Sequence, residues 1–65
     1  MDIEIVKKHW DLIKMVAVHE YMPPGMNNDF MEVANNYGLR KDELFCGFCK
    51  TQMCKRIYNE FKDRV

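Results

Sequence analysis

No stretch of this 65-residue chain approaches the roughly 20 consecutive apolar residues that a bilayer-spanning helix needs. The longest nearly uncharged run, residues 15–28, is interrupted by His19, Glu20 and two prolines, so no membrane partner is expected. Period-two alternation of apolar and polar side chains is missing too, which leaves no convincing strand, and there are no repeats or low-complexity tracts. Length itself is in short supply. The chain is too short for a doubly wound nucleotide-binding sheet, a closed (βα) barrel or a two-domain cleft, so enzymatic activity is not expected. An excess of charge is likewise absent: ten basic and ten acidic side chains cancel, which argues against autonomous electrostatic capture of a polyanion. Three cysteines cannot all pair within one chain, and the opening Met1-Asp2-Ile3-Glu4 has neither the basic start nor the apolar core of a secretory signal. Both features point to a reducing cytoplasm.

What is present is helical patterning in one small domain, residues 1–65. Between Asp2 and Met22 there is no glycine or proline, and Ile3, Val6, Trp10, Ile13, Ala17 and Tyr21 recur at three-and-four spacing. This predicts an amphipathic helix near residues 2–22, capped by Asp2 and ended by Pro23-Pro24-Gly25. A second apolar line, Ile5, Leu12 and Val16, widens the stripe to about half the circumference, more than one packing partner requires. Either this helix lies between two neighbours or the surplus flank is a contact surface. Residues 29–37 predict a second helix, with Asn28 or Asp29 as cap and Gly38 as its left-handed stop. Residues 42–63 predict a third, capped by Asp42, with a stripe of Cys46, Cys49, Met53, Ile57 and Phe61 widened by Cys54 and Val65. Gly47 weakens the first turns of that helix by about 1 kcal/mol relative to alanine, so its start can slip towards Cys49. The expected fold class is an all-α, three-helix small domain. Charge divides unevenly along it, with three basic and six acidic side chains in residues 1–38 against seven and four in residues 39–65. The two halves attract one another, or the second half presents a basic face.

Three constellations carry potential chemistry. Cys46, Cys49 and Cys54 supply three thiols in nine residues, and a tetrahedral zinc site would take them with a histidine, His19 or His9, as fourth ligand. On one continuous helix Cys54 is rotated away from the other two, so convergence requires residues 46–48 to form a turn with Gly47 as its flexible point. Otherwise the cysteines are small apolar members of the core stripe, and no cofactor is needed. The stretch Phe45-Cys46-Gly47-Phe48-Cys49-Lys50 resembles the active-site stretch of thioredoxin-like oxidoreductases. That fold needs a buried strand just ahead, and residues 39–44, with four charges in six positions, exclude it. The resemblance then implies only a reactive Cys46 at a helix N-terminus.

Residues 30–49 resemble a helix-turn-helix, with Ala34 at the helix crossing, Tyr37 packing inward, Gly38 in the turn and Leu44 on the second helix. The exposed positions of the second helix would be Arg40, Lys41, Asp42, Phe45 and Cys46, with Gly47 where an apolar anchor is expected. Arg40 and Lys41 would face phosphates or guanine edges, while Asp42 and Glu43 would repel the phosphate backbone. Trp10 is expected in the core, His9 at the edge of the apolar flank and His19 towards the polar side. The acid pairs Asp2 with Glu4 and Asp42 with Glu43 belong to helix starts, where the macrodipole favours them.

Taken whole, Lys8-His9-Trp10 on the first helix, Cys46-Gly47-Phe48-Cys49, and the closing run Lys55-Arg56-Ile57-Tyr58-Asn59-Glu60-Phe61 resemble small helical proteins encoded by tailed bacteriophages. The resemblance implies an accessory role in the bacterial host cell, as a virion component or an inhibitor of a host system, and supplies no catalytic residues. Six methionines and eight aromatics fit a protein-binding surface. The expected function is therefore a non-enzymatic adaptor or inhibitor acting on another protein, or as a homodimer. Ile5, Leu12 and Val16 would form the contact flank, with Arg40, Lys41, Lys55 and Arg56 as a basic rim. The alternatives are a helix-turn-helix DNA-binding regulator and an interaction module stabilised by one zinc on Cys46, Cys49, Cys54 and His19.

Overall fold

The computed structural model describes all 65 residues, of which 71% are helical, with no strand. The order is α1 (Ile3–Lys8), α2 (Trp10–His19), α3 (Asn27–Tyr37), a single-turn 3-10 helix η1 (Asp42–Phe45) and α4 (Gly47–Phe61). No helix is long and apolar enough to cross a membrane. The all-α class is as the patterning predicts, but two of the three expected helices are broken.

The first break falls at His9, whose backbone (φ −110, ψ 23) leaves the helical region. The His9 amide still donates to Ile5 O at 3.1 Å and its carbonyl accepts from Ile13 at 3.0 Å, while the amides of Trp10, Asp11 and Leu12 make none of the three bonds that would carry the ladder across. The two halves pack differently: α1 lies against both α3 and α4, whereas α2 lies chiefly against α4. A helix apolar over half its girth has been divided between two partners. Asp2 caps α1 as expected, its Oδ1 accepting from the Glu4 amide at 2.9 Å, and its own amide donates to Asn36 Oδ1 at 2.9 Å, tying α1 to the end of α3.

The expected helix to residue 22 ends instead at His19. Glu20 takes the left-handed conformation (φ 53) and its amide closes on Val16 O at 3.0 Å. Pro23 bars the residue before it from the helical region, so the turn is made early and Met22 is freed to pack on the core. Helix α3 starts two residues ahead of expectation, with Met26 rather than Asn28 or Asp29 at its cap, and ends at Gly38 (φ 94) as the sequence predicts.

The expected helix over residues 42–63 is also divided. Its first turn is η1, and Cys46, in extended conformation (φ −101, ψ 111), separates it from α4. Asp42 thus opens η1 rather than capping the long helix, which Cys46 caps instead.

One cluster of 12 buried residues holds these elements together: Val6 from α1; Leu12, Ile13, Val16 and Ala17 from α2; Phe30, Val33 and Ala34 from α3; Met53, Cys54, Ile57 and Phe61 from α4. Trp10 is half-buried at its edge and stacks on Tyr58, with centroids 5.3 Å apart and planes 14° from parallel. Val65, expected on the α4 stripe, is exposed beyond the helix end.

Candidate interaction site at the η1–α4 corner

The two halves of the expected partner surface behave differently. Leu12 and Val16 are buried and Ile5 is half-buried against the core, so the surplus flank faces inward. Leu12 and Val16 share α2 with Ile13 and Ala17, so that one helix buries members of both apolar lines. Of the basic rim, Arg40, Lys41 and Arg56 are exposed and Lys55 is half-buried. Arg40 is engaged locally, its Nε 3.6 Å from Asp42 Oδ1 and 3.3 Å from Glu43 Oε1, and Lys55 Nζ reaches Glu20 Oε1 at 3.5 Å. These are exposed pairs and contribute little to stability, but they neutralise part of the basic face.

The four proposed zinc ligands do not converge, and nowhere do three His, Cys, Asp or Glu side chains meet as a metal-holding group. Cys54 is only 1% exposed and faces the core, and burial pushes its thiol up to about 12. His19 is exposed at the far end of α2. The other histidine is committed elsewhere. His9 is 7% exposed, its Nε2 2.7 Å from Glu32 Oε1 and its Nδ1 3.9 Å from Asp29 Oδ1. An ionised carboxylate only accepts, so Nε2–H is the donor. Hydrogen bonds from His9 and then Lys8, whose Nζ lies 3.3 Å from the same oxygen, hold the Glu32 carboxyl below its ordinary range.

The helix-turn-helix geometry is also altered. Gly38 makes its turn, but the segment that would enter a DNA groove is the four-residue 3-10 helix η1 followed by an extended Cys46. An α-helix begins only at Gly47, past Arg40 and Lys41.

What the structure does present is an apolar corner. Phe45, at the end of η1, is 92% exposed and Phe48, in the first turn of α4, is 73% exposed. Phe45 borders a cleft of about 550 Å³ whose walls include Val16, Met22, Phe30, Met31 and Leu44. Lys50 and Glu20 stand at its rim, with the Lys50 ammonium 5.6 Å from the centre of the Phe30 ring. Phe48 borders a second, shallower cleft of about 320 Å³ on the other side, with Tyr37, Leu39 and Arg56. Solvent-facing phenylalanines are costly, since a fully exposed Phe forgoes about 1.5–3 kcal/mol of burial. The two lie three residues apart in sequence at the η1–α4 junction, each beside a cleft of its own.

Phe45 stood among the exposed positions of the helix-turn-helix pattern, whereas Phe48 was not singled out. The signal for both lay in the helical phase. Each sits one residue ahead of a stripe cysteine, Cys46 or Cys49, and so falls about 100° off the buried face.

Between the two phenylalanines lie the thiols. Cys46 caps α4 with its sulfur, which accepts from the Cys49 amide at 3.2 Å. Hydrogen bonding from the Cys49 side chain, then from the Cys49 and Phe48 amides, holds the Cys46 thiol below the ordinary thiol range. The same side-chain contact, together with burial and the charge of Cys46, pushes Cys49 upward.

Comparison with protein-family models, with curated proteins and with solved structures finds no match for this chain.

Proposed function

We propose that this chain is a small non-enzymatic accessory protein that acts by binding another protein, with the η1–α4 corner and its adjoining cleft as the contact surface. The observation that carries the reading is Phe45, 92% exposed beside an apolar cleft of about 550 Å³, with Phe48, 73% exposed, three residues on beside the second cleft. Aromatic side chains, Phe among them, are enriched at the cores of interfaces, where they fill pockets and lose their water. Here the molecule offers both halves of such a contact, an aromatic knob at Phe45 and the apolar hole beside it, with Phe48 as a second exposed ring. The charged side chains Glu20, Lys50 and Arg56 around the clefts form the polar rim that interfaces use for register. Accessory action as a virion component or as an inhibitor of a host system, which the likeness to small phage proteins implies, would use such a surface in either case.

The test is affinity capture from a bacterial lysate, with and without nuclease, comparing the wild-type chain with F45S/F48S. Both side chains are exposed, so the double variant should keep its helicity and melting temperature. A discrete protein retained by the wild type after nuclease treatment and lost by the variant supports the reading. Equal retention by both chains overturns the corner as the site. Recovery that disappears with nuclease overturns protein binding altogether and makes Arg40 and Lys41 the residues to mutate next. Sedimentation equilibrium of the two chains separates a foreign partner from a second copy.

A further inference from the structure

We propose that Cys46 and Cys49 form a thiol–disulfide exchange site, which takes a low-molecular-weight disulfide such as oxidised glutathione and closes into an intramolecular Cys46–Cys49 disulfide. The inference rests on where the two sulfurs are held and is independent of the protein-binding reading.

Cys46 is outside the helical ladder, in extended conformation, with its amide on Glu43 O at 3.1 Å and its carbonyl accepting from Lys50 at 3.1 Å. Rotating its side chain therefore leaves these backbone bonds in place and gives up only the cap contact between its sulfur and the Cys49 amide. Its sulfur sits over the first turn of a 15-residue helix and accepts the Cys49 amide. A developing thiolate at that place meets unpaired amide donors and the positive end of the helix dipole. Cys49 is three residues further on, in the first turn of α4, and its amide lies 3.2 Å from the Cys46 sulfur, so both side chains stand at the same end of the helix. A disulfide needs the two Cβ atoms about 3.5–4.5 Å apart, and because Cys46 precedes the helix, an adjustment of its own φ and ψ can supply the approach without unwinding α4. Only Gly47 and Phe48 lie between them, and a Cβ at Gly47 would meet nothing within 4 Å, so the outer side of the corner is open to a reagent. Both thiols are part-exposed, whereas Cys54 is buried in the core and cannot compete. Placement alone thus makes one sulfur the attacking group, the second its resolving partner and the third inert. No sheet or oxidoreductase fold is involved.

The steps balance. The Cys46 thiolate attacks one sulfur of the small disulfide, forming a mixed disulfide and expelling one small thiolate with the electron pair of the broken S–S bond. Cys49 then gives up its proton and attacks the Cys46 sulfur, expelling the second small thiolate. The protein loses two electrons and two protons, and the small disulfide gains them as two thiols.

The experiment equilibrates the reduced full-length chain in glutathione buffers of graded ratio, quenches in acid, alkylates the remaining thiols and reads intact mass and peptide maps. The wild type should lose two hydrogens with the linkage at Cys46–Cys49 and Cys54 alkylated only after denaturation. C49S should stop as a single glutathione adduct on Cys46. C46S, in which serine preserves the helix cap, should react at Cys49 about tenfold more slowly or less. Far-UV circular dichroism checks that both variants remain folded. A wild-type chain that accumulates adducts without closing overturns the proposal. So does a bridge to Cys54, or reaction at Cys49 as fast as at Cys46.

Discussion

His9 shows how much one side chain decides when it sits at a joint. It ends one helix, precedes the next and fills a nearly buried position, yet its ring reaches a carboxylate on α3. Glu32 is part-exposed and its pKa is depressed, first by the bond from His9 and then by the bond from Lys8. A depressed carboxyl binds its proton less readily folded than unfolded, so its contribution is fully present above the ordinary pKa near 4.5 and is lost as pH falls through the folded value. The midpoint of urea unfolding should therefore decline on acidification from pH 5 to pH 3 (roughly the carboxylate range). E32Q should flatten that decline while lowering the midpoint only slightly at neutral pH. An acid limb equally steep in E32Q would show that the His9–Glu32 contact is not coupled to folding. The sequence placed His9 at the edge of the apolar flank, but its partner lies 23 positions away on another helix, and no local pattern encodes that distance.

At the scale of the element, helix ends carry the sharpest predictions because two of them adopt the same left-handed backbone with different residues. Gly38 ends α3 at φ 94 and a Cβ there would meet no atom within 4 Å. G38A should then cost about 1 kcal/mol through backbone conformation alone. Glu20 ends α2 at φ 53 with a Cβ and is the only non-glycine residue at positive φ. Its ion pair with Lys55 is exposed and offsets little of that strain. E20G should stabilise by up to about 1 kcal/mol, and chemical denaturation of the two variants should therefore show shifts of opposite sign. The same comparison explains what the sequence disclosed. Asp2 and Gly38 were legible as caps because their chemistry is local. The buried stripe Val6, Ile13 and Ala17 was legible because three-and-four spacing repeats long enough to be unambiguous. The break at His9 was not, since no breaker residue stands there, and the early end at Glu20 was not, since Pro23 constrains Met22 without fixing how far ahead of it the helix stops. Of the candidate site, the thiol pair and Phe45 were visible as motif positions. The burial of Leu12 and Val16 was visible only as one of two alternatives.

Over the whole molecule, zero net charge and an isoelectric point near 6.7 leave little electrostatic repulsion between copies at neutral pH. With Phe45 and Phe48 bare on the same surface, attraction between copies should peak near that point. Light scattering of concentrated samples should be maximal close to pH 6.7 and fall on either side, with F45S/F48S flattening the peak. A peak of equal height in the variant would place the sticky surface elsewhere, with Tyr21 and Val18, both at least half exposed, the next residues to examine.

The stacked pair Trp10 and Tyr58 gives the molecule a built-in optical reporter. Trp10 is the only tryptophan, and its ring lies 5.3 Å from a tyrosine near the opposite end of the chain. Aromatic rings at that separation couple electronically, so the near-ultraviolet dichroism and emission of Trp10 register whether α4 has docked on α2. Far-ultraviolet signals register helices whether docked or not. A stopped-flow refolding trace followed at both wavelengths would therefore time local helix formation separately from closure of the chain's ends, without any label being attached.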